Sequence, residues 1–270
     1  MTFMTFEMWG WKHILFMLMP IIVFFVLHFS CKKTSEKTKQ TVGIVVSAVG
    51  VLILILRGIE IWVVKGPNGD MIPLQVCHIA TIFLFVAFVT RNKTLFAMMF
   101  CFFLPAAVMA VIFASALANP LYYPTIINFR GLAYIMGHTL IIGPILWAVS
   151  IKFITISFKT FLKSLLFAFF MYVAALLATN FVYNVLGLKD ANYFYSIAPE
   201  SGTPLVFFYQ FGSMLNWGGF IWNPLYMLST MIFGYIIIAA LYGVYVLAGC
   251  LPKLFHAMLT SITQRKILKI

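Results

Sequence analysis

The sequence predicts an all-α integral membrane protein, a bundle of seven membrane-spanning helices, and three observations carry that prediction. Of the 270 residues, 63% are hydrophobic and only 9% are charged, whereas soluble domains carry about a quarter charged residues. The apolar residues fall in long runs, and a hydrocarbon core about 30 Å thick takes about 20 of them per helix. So much apolar surface also exceeds what one soluble core buries.

Seven runs have that length, at about 11 to 30, 41 to 64, 74 to 90, 94 to 117, 131 to 151, 164 to 186 and 223 to 249. The first follows Glu7 and has no small-residue cleavage pattern near its end, so it reads as a retained span and not a removed signal peptide. The connections are short and polar except for Leu188 to Trp222, which is too long for a turn and too rich in Gly and aromatics for a good span. That segment reads as an external loop with a re-entrant or interfacial piece near Val206 to Met214. The whole chain, 1–270, is then one membrane domain ending in a basic tail at 251–270 that lies along a leaflet.

Charge sets the expected orientation. Thirteen of the 18 lysines and arginines fall on one side, between spans one and two, three and four, five and six, and in the tail. The positive-inside rule therefore places the N-terminus outside and the C-terminus in the cytoplasm. The net charge of +12 is explained by this topology and by anionic lipid, so it argues for no nucleic acid. Membrane lipids are the expected partners, the expected location is a multi-pass position in the cell membrane, and no surface for a protein partner is legible. The heavy use of Phe, Ile and Lys points to a low-GC bacterium.

Polar residues inside the spans converge on one level. Arg57 and Glu60 lie three apart on one face of span two, as a self-neutralising ion pair or as part of a pocket. Cys77 and His78 open span three, His138 lies about two turns into span five with Tyr134 on its face, and Asn180 and Asn184 lie near the end of span six. Each has a bland reading as interhelical glue or an inert thiol. Their shared depth, with Cys77 as the one cysteine on the outer side, favours an outward-facing polar pocket. No Cys-x-x-Cys, phosphate loop, Gly-x-Ser-x-Gly or His-Glu-x-x-His occurs, and no cofactor or metal is expected.

Read from the residues alone, Cys77, His138 and Glu60 have the chemistry of a nucleophile, a base and an orienting carboxylate. Asn180, Asn184 and Asn192 would supply oxyanion donors, and Arg57 or Arg130 would grip a phosphate. His78, about 100° round the helix from Cys77, is less obviously the base. The competing reading is a seven-helix transporter or receptor that binds a small molecule or lipid in the same pocket.

"IPLQVCHIA" resembles the Leu-Pro-Leu-His-Leu-Cys pattern of the bacterial YwaF-like membrane family, which is grouped with animal transmembrane protein 164. Glu60 at the end of span two, "YIMGHTLIIGPI" around His138, and "LKDANYFYSIAPESGTPL" with its Asn192-Tyr193 pair extend the resemblance from about Arg57 to Trp222. The resemblance implies a phospholipid-remodelling acyltransferase in which Cys77 carries the acyl group and His78 stands beside it. Gln75 departs from the pattern, since the bacterial relatives usually have His there.

Overall fold

The computed structural model describes residues 6–119, 123 and 125–267, with side chains described as far as Gly249 and Cys250. It contains seven helical stretches long and apolar enough to cross a membrane, Trp11–Cys31, Glu36–Lys65, Gly69–Thr90, Lys93–Ala118, Phe129–Ser150, Phe158–Asn184 and Pro224–Cys250, so the chain is an all-α seven-helix membrane bundle.

Helix α1 (Trp11–Cys31) is followed by α2 (Glu36–Lys65), which starts where the Ser35 hydroxyl accepts from the Thr38 N–H at 3.1 Å. A 3-10 turn, Gly69–Met71, leads into α3 (Val76–Thr90). The fourth span is segmented into α4 (Lys93–Met98), a π-turn at Met99–Phe103, α5 (Leu104–Ile112) and α6 (Ser115–Ala118). Pro105 has no N–H to give to a regular helix, and the π-turn just before it absorbs that gap. Helix α7 (Phe129–Ser150) begins at Asn128, whose side chain accepts from the Gly131 N–H, and α8 (Phe158–Asn184) begins with a capping box between Ser157 and Thr160.

The long connection after α8 is not a plain loop. It holds a 3-10 turn at Tyr193–Tyr195, the five-residue helix α9 (Leu205–Tyr209), and an antiparallel hairpin of β1 (Leu215–Trp217) and β2 (Phe220–Trp222). Gly218 and Gly219 turn the hairpin at φ 58° and 96°. Helix α10 (Pro224–Ile267) runs on without a break past the seventh span. The basic side chains of the tail, Lys253, Arg265, Lys266 and Lys269, lie outside the described side chains.

Helix α7 is central, packing on α1, α2, α3 and α5, whereas α10 is peripheral. The core is apolar and aromatic, with Phe88, Phe96, Phe103, Leu84 and Trp147 fully enclosed, and the outward faces carry exposed Ile, Val, Leu and Phe suited to lipid. Close approach at Gly43 fixes the α2–α3 contact, because a Cβ there would lie 2.2 Å from the Phe88 ring. At the other end of α2, Gly69 sits against the backbone of Ala191, where a Cβ would come within 2.8 Å. Gly69→Ala is therefore expected to lower stability by about 1–3 kcal/mol, read as a lower thermal midpoint of the purified protein in nanodiscs, while Gly58→Ala, inside α2, leaves packing alone because nothing lies within 4 Å of its Cβ position.

Candidate functional site

The end of the bundle where α2 hands over to α3 collects most of the polar side chains that the sequence places inside spans. The 3-10 turn and the start of α3 are gripped by the connection after α8. Both Asp190 carboxylate oxygens accept from the Gly69 N–H at 3.0 Å, and the Tyr193 hydroxyl donates to the Gly69 carbonyl at 3.1 Å. The Gln75 carboxamide, at the entry to α3, donates to the Asn192 carbonyl and accepts from the Phe194 N–H, each at 3.0 Å. Phe194 and Tyr195 both have positive φ, 55° and 52°. Such strain persists only where the surroundings enforce it, and here Gln75 holds one side while the Tyr226 hydroxyl donates to the Tyr195 carbonyl on the other.

This grip places Cys77 in the first turn of α3. Cys77 and His78 line a cleft of about 10 Å³ together with Gly50, Ile53, Leu54, Thr81, Ala133 and Gly137, so that α2, α3 and α7 all face it. His78 is buried, and among the described residues its Nδ1 has no hydrogen-bond partner. Arg57 is close enough to act electrostatically on both Cys77 and His78, and His138 acts on His78 from α7. His138 itself donates from Nδ1 to the Tyr134 carbonyl at 2.6 Å, since a carbonyl can only accept, so that in the neutral ring Nε2 is the basic nitrogen. Its ring lies 4.6 Å from that of Tyr134.

The charged residues are distributed differently from the sequence reading. Among the described residues Arg57 and Glu60 do not form an ion pair: Arg57 Nη1 donates to the Asp70 carbonyl at 2.8 Å, and Glu60 accepts from the Arg130 N–H at 3.2 Å, in the first turn of α7. A carboxylate there offsets the positive end of the α7 dipole. Arg130 instead pairs with the Asp70 carboxylate and stacks over Tyr123 at 5.1 Å. The two cations are thus held by different partners, Arg130 by a carboxylate and Arg57 by a carbonyl.

The asparagines act as rivets for the connection after α8. Asn180 donates both amide hydrogens, to Leu176 and Ile221 carbonyls, and accepts from the Ile221 N–H at 2.6 Å, which leaves it no donor for an oxyanion. Asn184 donates to the Gly219 carbonyl, and Asn192 donates to the Ala198 carbonyl and accepts from the Ile197 N–H. Tyr193 is buried, its N–H bonded to the Thr179 hydroxyl. The site residues that sequence reasoning missed are Asp70, Tyr195 and Glu200. A lone acid in the connection between two spans, next to an in-span arginine, was the available signal for Asp70.

These features define a seven-span helical membrane protein with a cysteine, two histidines and an arginine gathered at one end of the bundle. The chain belongs to the TMEM164 family, whose model matches residues 8–245. No curated protein and no solved structure matches the chain significantly.

Glu200 makes this end of the bundle pH-sensitive. Burial pushes its carboxyl above the ordinary glutamate value of 4.5, and the Asp70 charge adds to this, while a hydrogen bond with Tyr195 works the other way. A carboxyl raised in the folded state favours folding when protonated, so the stability it contributes is present at low pH and is lost as pH rises through the raised value. Glu200→Gln is expected to unfold at a higher temperature than wild type at neutral and alkaline pH, with the two curves converging as the pH falls toward 4.5. Thermal unfolding across a pH series checks it.

Proposed function

We propose that the protein is a cysteine-dependent acyl-transfer enzyme acting on membrane phospholipids, with Cys77 as the residue that carries the acyl group. The observation that carries this reading is the small cleft lined by both Cys77 and His78 beside a buried arginine, with a His78 Nδ1 that has no hydrogen-bond partner among the described residues. Membership of the TMEM164 family supports it. The first-turn N–H groups of α3 and the Arg57 guanidinium direct positive potential toward the sulfur, where a developing oxyanion would be stabilised.

In the proposed reaction the Cys77 sulfur attacks the carbonyl carbon of a lipid ester. His78 takes the thiol proton through Nδ1, and the C–O bond to glycerol breaks as that proton passes to the departing oxygen. The products are a Cys77 thioester and a lysolipid. The hydroxyl of a second lysolipid, or water, then attacks the thioester carbon and gives its proton to His78. The C–S bond breaks, and the thiol is restored. His138 stands behind His78 as a positioning residue, while Glu60, bonded to the Arg130 N–H, supports α7 and does not orient an imidazole. Arg130, Asn184, Asn192 and Tyr193 serve the site by shaping it. The site faces the outer leaflet of the cell membrane in this reading, which the distribution of basic residues supports.

Intact-mass analysis of the purified protein incubated with phospholipid tests the chemistry. Wild type is expected to gain a hydroxylamine-sensitive acyl mass that Cys77→Ser lacks, and His78→Ala is expected to slow its appearance by about 10²- to 10⁴-fold. An absent adduct in wild type, or an equal one in Cys77→Ser, overturns the reading. A transporter or receptor in the same fold gives lipid binding with no adduct and no lysolipid.

A further inference from the structure

We propose that the groove between α2 and α3 is a lateral binding site for a phospholipid, which keeps one acyl chain in the groove and its phosphate on Arg57. A cavity of about 200 Å³ lies there, bounded by Val51, Leu54, Ile55 and Gly58 of α2, by Met71 and Pro73 of the turn, and by Ile82 of α3, with Arg57 as its one charged wall. Val51, Leu54, Ile55 and Gly58 recur at helical spacing, so they form a single stripe about 10 Å long on α2. Ile55 and Ile82 are 54% and 37% exposed on the outward face, which makes the groove accessible from the side, where the bilayer lies.

Charge decides the occupant. Arg57 is only 6% exposed, and its one hydrogen bond among the described residues goes to a neutral carbonyl, whereas Arg130 has the Asp70 carboxylate. A buried guanidinium without a carboxylate at the head of an apolar groove matches an anionic head group followed by hydrocarbon, and a phosphate meets the guanidinium fork in its preferred geometry. The cavity is too small to enclose a lipid, so the remaining chain stays in the bilayer. Leu54 forms part of both this groove and the Cys77 cleft, so the two spaces meet at one movable side chain. With the phosphate on Arg57, the ester nearest the head group lies at the level of Cys77. The choice of a phospholipid over other anionic amphiphiles rests on the acyl-transfer reading above.

Photo-crosslinking of the full-length protein in nanodiscs tests the groove without depending on turnover. The probes are a phosphatidylglycerol carrying a diazirine in one acyl chain and a diacylglycerol carrying the same group. Peptides bearing Val51, Ile55 or Ile82 are expected to be labelled by the phospholipid probe several-fold more than those bearing Ile21 and Phe25 of α1, which are exposed at 46% and 48% and report ordinary contact with lipid. Gly58→Phe is expected to bring the groove down to the α1 level. A Cβ at this position meets nothing within 4 Å, so the substitution is compatible with the α2 backbone. Arg57→Gln is expected to erase the preference for the phosphate-bearing probe. Groove labelling no stronger than at α1, or unchanged in Gly58→Phe, overturns the proposal. Cys77→Ser should keep the label: label retained in Cys77→Ser with no acyl adduct in wild type removes the acyl chemistry and leaves the groove standing.

Discussion

The Gln75 carboxamide bonds to the backbone of Asn192 and Phe194, and the Cys77 end of the bundle depends on those two hydrogen bonds together with the Asp190 and Tyr193 contacts to Gly69. At this end a 3-10 turn, the first turn of α3 and a left-handed pair of loop residues meet near the apolar layer, and each contributes backbone groups that need partners. Outside a regular helix, backbone polar groups at that depth are tolerated only when protein satisfies them. Side chains of two connections distant in sequence do so for each other, which fixes where α3 begins. The start of α3 in turn places Cys77 in its first turn and His78 toward α7.

The same constraint explains why most amides here are structural. Asn180 secures β2, Asn184 the Gly218–Gly219 turn, and Asn192 the backbone up to Ala198. Among the charges, Arg130 is matched by Asp70, Glu60 by the α7 N-terminus, and Glu200 by Tyr195. Polar groups satisfied in this way hold one arrangement rigid, because leaving any of them unpaired in a low-dielectric setting is costly. Against that background two groups beside Cys77 bear on the site: the His78 Nδ1, which has no hydrogen-bond partner among the described residues, and Arg57, which has a carbonyl where Arg130 has a carboxylate.

The spans were legible because a bilayer imposes a length on apolar runs. Their ends were less so: α2 and α8 begin at Glu36 and Phe158, several residues before the hydrophobic runs, because Ser35 and Ser157 cap them beyond the apolar layer where hydropathy gives no signal. The break in the fourth span is carried by Pro105, whose effect on an otherwise uniform run cannot be weighed by hydropathy. The hairpin left a readable trace, Gly218-Gly219 between Trp217 and Phe220, which hydropathy does not register. At the site, residue types and depth were legible, but pairing was not. Arg57 and Glu60 share a helical face, yet each finds a better partner across the bundle, and such partners are separated by 13 residues for Arg57 and 70 for Glu60.

Gln75 shows how a departure from a family pattern acquires meaning from geometry. Judged by sequence, its replacement of an imidazole is a loss of chemistry near the thiol. In the fold it faces away from the chemistry, toward the loop, and uses both ends of a planar amide, one donor and one acceptor, on two backbone groups that run in opposite senses. The position thus belongs to the clamp, and the thiol and imidazole at the mouth of α3 are those of the two residues that follow Val76, in the first turn of the helix.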